Sequence, residues 1–385
     1  VGRKFLVFLV VVSLVTAFTM GVAFGSGTIK IGFFAPLTGF AAADGASAKR
    51  AALLAIEKIN NSGGINGKKV ELIVYDDRVS SKDAVAIAHK LIEEDKVVGV
   101  VSGSYSTPTR AAAPIYQRFG VPMIAAYATH PDITKAGNYI FRLGFLASVE
   151  GKGGGYVAAK LLKAKKIAVL TMDNDFGRAL AKGFVDEAKK LGAEIVANLT
   201  FALGEKDFSP VLTKVKQYKP DVVYSTGYYS EGALVARQAK ALGLKAKLVG
   251  QEGFDSPMFL KIAGKAANGV IITTDLNRDS NRPIVQEFIA NYRSKYNAEP
   301  DMVGASAFDA VYMMAMVIKK VGTDRKAVRN GIAGIKDFDG VTGKIKGFNS
   351  LGEVEKPIQV QIVKNGKFHY FGEIEDPDII TPPSK

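Results

Sequence analysis

Two hydrophobic periods alternate along the chain, and the switch between them predicts its architecture. Thr28–Phe34 (TIKIGFF) is a short β-branched and aromatic run, which reads as a buried strand. A loop with Pro36 and Gly39 follows. Ala48, Ala52, Ala55, Ile56 and Ile59 then recur at helical spacing, predicting a helix over Ala46–Asn61 closed by Gly63-Gly64. A strand is expected at Lys69–Tyr75, a helix over Lys82–Glu94 capped by Ser81, and a strand at Val97–Val101. A helix over Thr107–Phe119 and a strand at Val121–Ala125 complete the series. Repeated β–loop–α units of this kind build a parallel sheet covered on both faces.

The pattern then restarts. Lys165–Thr171 echoes Ile29–Phe34, and the helix Arg178–Leu191 ends at Gly192 as the first ended at Gly63. Glu194–Phe201 echoes Glu71–Asp76, at an offset of about 136 residues, too long for a solenoid period. Val211–Tyr218, Val222–Thr226, Glu231–Leu242 and Lys247–Gly250 continue the alternation. The tail departs from it, with helices at Gln286–Tyr296, Ser306–Val321 and Lys326–Ile335. A strand pair, Pro357–Tyr370, then turns at Asn365-Gly366. The fold class is therefore α/β, with two Rossmann-like lobes. Late helices on one lobe and a late hairpin on the other require several crossings, which make a hinge and a cleft. Ligands of open α/β sheets bind outside the carboxyl ends of the strands, so the site is expected on loops facing that cleft.

The N-terminus reads differently. Arg3-Lys4 is followed by an apolar run, Phe5–Phe18, and Ala23-Phe24-Gly25 places small residues at a cleavage site before Ser26. The apolar run is short for a span, so residues 1–25 are expected to be a cleaved signal peptide of a secreted, periplasmic protein. Cysteine is absent, which excludes disulfides, cysteine-ligated zinc, iron–sulfur clusters, a thiol nucleophile and a lipobox anchor. With His89, His130 and His369 the only histidines, no metal site is expected. The formal net charge is +14, but the lysines are scattered, as at Lys163, Lys165, Lys189 and Lys190, and mostly at helix ends. Nucleic-acid readers gather basic and aromatic residues on one face, and no nucleic-acid partner is expected.

Catalytic motifs are missing. Ser230 has Gly227 at the wrong spacing for GxSxG, and Gly63–Lys69 lacks the first glycine and the final hydroxyl of a phosphate loop. Gly151, Gly153, Gly154 and Gly155 do not follow a strand. Asp76-Asp77 at a strand end reads as solvated or capping. No enzyme activity and no cofactor are expected. Three strand-end loops instead carry chemistry suited to a zwitterion. Ser106-Thr107-Pro108 and Ala128-Thr129-His130-Pro131 offer hydroxyls and backbone N–H groups for a carboxylate, although simple helix capping is the commoner role of such residues. Glu252, in Gly250-Gln251-Glu252-Gly253, offers an acid for an ammonium, while Tyr228-Tyr229 and Phe176 place aromatics at neighbouring strand ends.

These loops carry a resemblance. IGFFAPLTG (31–39), INNSGGINGKKVELIVYDD (59–77), MIAAYATHPDIT (123–134), PDVVYSTGYYSEGALVARQAK (220–240) and the Gln251-Glu252-Gly253 loop resemble the periplasmic branched-chain amino acid (leucine/isoleucine/valine) binding proteins of ABC transporters. The resemblance runs from Thr28 to about Phe371. It implies the type I periplasmic binding protein fold, with three crossings between lobes that close on the ligand. Lobe 1 is then expected to comprise 26–145 plus 278–345, and lobe 2 146–277 plus 346–385. The resemblance further implies that Ser106 and Thr129 bind the ligand carboxylate, helped by backbone of Ala128 and Thr129. The Tyr127 carbonyl and the Glu252 carboxylate would accept the ammonium. Tyr228 would close over the ligand, with Phe176 standing where the family often has tyrosine. Asp44 falls near an aromatic of the side-chain pocket, and Tyr105 stands where some members have a disulfide cysteine. A buried Asp44 is unfavourable beside an aliphatic ligand, so either the ligand is polar or larger, or Asp44 points to solvent.

The expected function is capture of an amino acid, branched-chain or similar, by a monomeric exported protein that hands it to a membrane permease. Binding of another small solute (an amide, urea, an aromatic acid or a polar amino acid) is the alternative, and an exported enzyme using the cleft is a third.

Overall fold

The computed structural model describes residues 27–384; the expected leader, 1–25, lies outside them. The first sheet is wholly parallel. Its spatial order is Lys69–Asp76, Thr28–Ala35, Gly99–Ser102, Met123–Ala125, Ile140–Arg142. The second sheet has seven strands, in the order Lys367–Ile374, Ile358–Lys364, Ile271–Thr274, Lys247–Gly250, Val222–Ser225, Lys166–Met172, Glu194–Phe201. Central strands such as Gly99–Ser102, Val222–Ser225 and Ile271–Thr274 are buried along their whole length, which is why they read as unbroken apolar runs. The hairpin Ile358–Lys364 and Lys367–Ile374 adds antiparallel edge strands, turning at Asn365 and Gly366, both at positive φ.

Capping sets the helix starts. The Ser80 side chain accepts from Asp83 N at 3.2 Å, so Ser80 is the cap and the helix runs Ser81–Glu93, one residue earlier than expected. Asn174 caps Asp175–Lys190, and Asp301 caps Met302–Val321, which starts four residues before the Ser306 read from periodicity. Met302–Val321 is long and apolar enough to span a membrane, but it is 83% buried as a core helix. It packs on Ala42–Asn61, whose start also precedes the expected Ala46. The four glycines at 151–155 lie on a helix, Ala147–Tyr156, that the sequence pattern did not reveal. A Cβ on Gly151 would sit 2.3 Å from the Leu180 carbonyl oxygen, and one on Gly183 2.5 Å from that of Ser148. These glycines allow two helices to approach, and they hold no phosphate.

A third, small antiparallel sheet joins Lys336–Gly340, Gly343–Phe348 and Val354–Glu355. It is fastened to the first sheet: Arg142 N donates to Gly352 O at 2.8 Å, and Phe141 and Phe348 pack edge to face. The division expected at residue 345 therefore falls inside a strand. Pairing of 343–348 with 354–355 carries the first lobe to Glu355, and the last crossing begins at Lys356.

One ammonium ties the three crossings together. The chain leaves the first sheet after Arg142, leaves the second after Thr274, and returns at Lys356-Pro357. Lys356 Nζ lies 2.9 Å from Asp275 Oδ1 on the second crossing and 4.8 Å from the ring centre of Phe145 on the first. Both charged side chains are fully buried. Removing one partner of such a pair costs more than the pair contributes, because the other charge stays desolvated. Lys356→Met is expected to lower unfolding stability by about 3–5 kcal/mol, read from urea denaturation.

Candidate functional site

A small cavity lies where the two sheets' strand ends face each other, the place where small-molecule sites of such sheets form. From the first sheet, the loop after Ser102 brings Tyr105 and Ser106, and the loop after Ala125 brings Tyr127 and Ala128. Asp44 comes from the first turn of Ala42–Asn61. From the second sheet, the loops after Met172, Ser225 and Gly250 bring Phe176, Tyr228 and Glu252. Eight of the nine residues expected from the sequence line this one cavity. The ninth, Thr129, sits directly behind it: its backbone N donates to Ser106 Oγ at 3.3 Å, and its buried hydroxyl has no partner. Gly253, Asp255, Ser256, Met302 and Val303 complete the lining and were not anticipated.

The hydroxyl-bearing wall differs in detail from simple capping. Ser106 is the first residue of the helix Ser106–Arg118, whose cap is Tyr105, and no side chain caps it. Ser106 Oγ instead accepts from Thr129 N and His130 N, both at 3.3 Å, which leaves its own proton free to donate. A helix N-terminus and a serine hydroxyl thus meet on one wall, with the unpartnered Thr129 hydroxyl behind them, the arrangement that suits an anion.

Arg142 holds that loop in shape. Its guanidinium donates to the carbonyls of Ala128 and His130 and pairs with Glu353, Nε to Oε2 at 2.7 Å. Neither charge meets solvent: the two side chains are 0% and 3% exposed. With its carbonyls bound behind, the loop presents its N–H groups forward. A lone arginine inside the apolar segment Tyr139–Leu146 was the available signal for this pair, and sequence reasoning missed it.

The opposite wall is acidic. Glu252 begins a 3-10 turn after Gly250, is 3% exposed, and its Oε2 has no partner. Behind it lies Glu150, fully buried, whose Oε1 accepts from Glu252 N at 2.8 Å and from the Thr273 hydroxyl at 3.1 Å. Burial pushes the Glu150 carboxyl up to about 8. Burial first, then the neighbouring Glu150 and Asp275 carboxylates, hold Glu252 well above the usual range, while Lys356 pulls the other way. A cation placed against Glu252 relieves both causes.

Aromatic rings span the cleft. Tyr105 stacks on Tyr228 with centroids 4.6 Å apart, and Tyr228 on Phe176 at 5.1 Å. Tyr105 belongs to the first lobe and the other two to the second. Arg110–Asp175 (2.9 Å) and Tyr229 OH to Phe40 O (3.1 Å) also bridge the lobes. Asp44 is buried, at 6% exposure, so the option that it points to solvent falls: the fold seats it inside the cavity with Oδ2 accepting from Tyr105 OH at 2.6 Å. Asp76 and Asp77 lie outside the site. Asp76 accepts from Leu37 N (2.8 Å) and Thr38 Oγ1 (2.6 Å), bracing that loop instead of capping a helix, and Asp77, fully buried where solvent was expected, accepts from Val79 N at 2.9 Å. No cluster of metal-ligating side chains occurs among the described residues.

Two α/β lobes closing on a cavity lined by strand-end loops define a solute-binding clasp. Residues 28–367 match the family described as periplasmic binding protein, and the chain belongs to that family. It is 34% identical over 330 residues to a leucine-, isoleucine-, valine-, threonine- and alanine-binding protein of Pseudomonas aeruginosa, covering 85% of this chain and 87% of that one. It is 34% identical over 261 residues to the Leu/Ile/Val-binding protein of Escherichia coli, covering 67% and 71%. A leucine binding protein of Thermotoga maritima superposes with TM-score 0.84 at 30% identity, covering 91% of this chain and 99% of that one. A branched-chain amino acid transporter substrate binding protein of Streptococcus pneumoniae, in complex with isoleucine, gives 0.85 at 32%, covering 90% and 99%. A solute binding protein of Rhodopseudomonas palustris in complex with 3,4-dihydroxy benzoic acid gives 0.83 at 27%, covering 90% and 97%.

Glu353→Ala strands the Arg142 charge and releases the 127–130 loop. It is expected to cost about 3–5 kcal/mol of stability by denaturant unfolding, with a drop in melting temperature.

Proposed function

We propose that this protein captures an α-amino acid of branched-chain size between its lobes and delivers it to an ABC permease. One observation carries the reading. A single cavity joins hydroxyl and backbone donors on one lobe to an unpartnered buried carboxylate on the other. A zwitterion needs both ends met at once, since a desolvated charge is costly unless paired. Ser106 and Thr129 would take the ligand carboxylate, while Glu252 and the Tyr127 carbonyl would take the ammonium. Ala128 supplies backbone, and Tyr228 and Phe176 cover the ligand. The carboxylate would bind to the first lobe and the ammonium to a carbonyl of the first and a carboxylate of the second, so the ligand bridges the lobes, favours the closed form and shifts the population toward it. The relatives named above bind amino acids, which supports the reading. Binding without turnover is the reading that the solute-binding relatives named above support. Export fits the signal-like N-terminus, and action as a monomer belongs to the same proposal.

Two measurements test this. Glu252→Ala is expected to weaken amino acid binding in calorimetry by at least about 2–3 kcal/mol, and Ser106→Ala by less, since backbone donors remain. Unchanged affinity in Glu252→Ala removes the ammonium site. The pH dependence has a definite sign. Burial raises the Glu252 pKa in the ligand-free protein, and a bound ammonium lowers it, so binding releases protons. Affinity is therefore expected to rise with pH once above the ordinary carboxylate range, with proton release read from buffers of different ionisation heat. Glu252→Gln should abolish most of that release.

A further inference from the structure

An ammonium and a carboxylate leave one wall of the cavity unexplained. Asp44 lines it beside Tyr105, Met302 and Val303. The Tyr105 hydroxyl, at 2.6 Å from Oδ2, is the one donor among the described residues that reaches the Asp44 carboxylate. Among the described residues Asp44 makes no ion pair, and the charge that acts on it most is the like charge of Asp255. Asp255, its neighbour in the lining, is engaged by the Arg278 guanidinium, with Nη1 3.1 Å from Oδ2. Asp301 accepts from Ser47 Oγ at 2.5 Å and Gly304 N at 2.9 Å. Asp255 and Asp301 are both acids whose charges oppose that of Asp44. Burial lifts the Asp44 carboxyl to about 6, so it is still mostly ionised at neutral pH.

A buried carboxylate with one hydrogen bond is expensive to maintain. An aliphatic ligand side chain against it would deepen the desolvation and return nothing. A ligand donor would supply the missing bond. The stacked rings of Tyr105, Tyr228 and Phe176 crowd the same space, so that donor must sit on a short side chain.

We propose that Asp44 makes this pocket select a compact amino acid whose side chain carries a hydrogen-bond donor over its aliphatic isostere. The proposal rests on the amino acid reading given above and names the ligand within it. The donor hydrogen-bonds to the Asp44 carboxylate, while the α-ammonium and α-carboxylate occupy the Glu252 and Ser106 walls. A hydroxyl, a carboxamide and an amine share this chemistry.

Matched pairs separate them. Protein stripped of ligand by unfolding and refolding is titrated calorimetrically with threonine and valine, asparagine and leucine, alanine, and 2,4-diaminobutyrate. Threonine is expected to bind at least about tenfold tighter than valine, and asparagine than leucine, because sites built around a hydrogen bond reject analogues that lack it. Asp44→Asn and Asp44→Leu should each bring both ratios down, toward or below one. Tightest binding by 2,4-diaminobutyrate supports the proposal and makes the donor cationic. If wild-type protein binds valine and leucine as tightly as threonine and asparagine, the proposal is overturned while the amino acid reading stands. The wild-type comparison decides this even if neither variant folds. Failure to bind any amino acid, alanine included, overturns both.

Discussion

The buried ammonium of Lys356 is the constraint on which the rest of the structure depends. It belongs to one crossing, pairs with Asp275 on another and sits over Phe145 of the third. Asp275 in turn accepts from Ser306 at 3.1 Å on the long core helix of the first lobe. A pivot made of one cation shared by three strands of chain keeps their mutual spacing while each backbone turns. It is also electrically continuous with the site. Lys356 lowers the pKa of Glu150 and of Glu252, and Asp275 raises them. The charge that organises the hinge therefore also sets how strongly the cavity attracts a cation.

The two walls of the cavity use different physics. The donor wall works through geometry: Arg142 and Glu353 grip the carbonyls of a loop so that its N–H groups face Ser106. The acid wall works through desolvation, with two carboxylates buried side by side and joined through a backbone N–H. A donor wall loses function when its backbone moves. An acid wall loses function when its protonation changes. Each is supported by a buried ion pair outside the cavity, which places much of the site's design in residues no ligand touches.

Much of this was legible in the sequence because it depends on local pattern. Buried parallel strands such as Val222–Ser225 read as apolar runs, Asn365-Gly366 announced its hairpin, and Ser106, Tyr228 and Glu252 lay at strand ends where ligands of such sheets bind. What escaped is long-range. Arg142 meets Glu353 across more than two hundred residues, and no local pattern encodes that pairing. Helix Ala147–Tyr156 is glycine-rich because another helix crosses it closely, so its composition argued against the element it forms. The small sheet at 336–355 hid because its strands are short and set few apolar residues, such as Phe338, Ile345 and Phe348, among charged residues and glycines.

The stack of Tyr105 on Tyr228 couples rigid bodies that must separate for anything to enter or leave. Aromatic pairs contribute about 0.5–1.5 kcal/mol beyond their buried area. The clasp thus carries adhesion of its own, independent of cargo. Such self-adhesion enlarges the fraction of empty molecules already shut, slows loading and lengthens retention. Unloading then becomes a mechanical task for whatever receives the cargo, which must prise two rings apart before the solute is free.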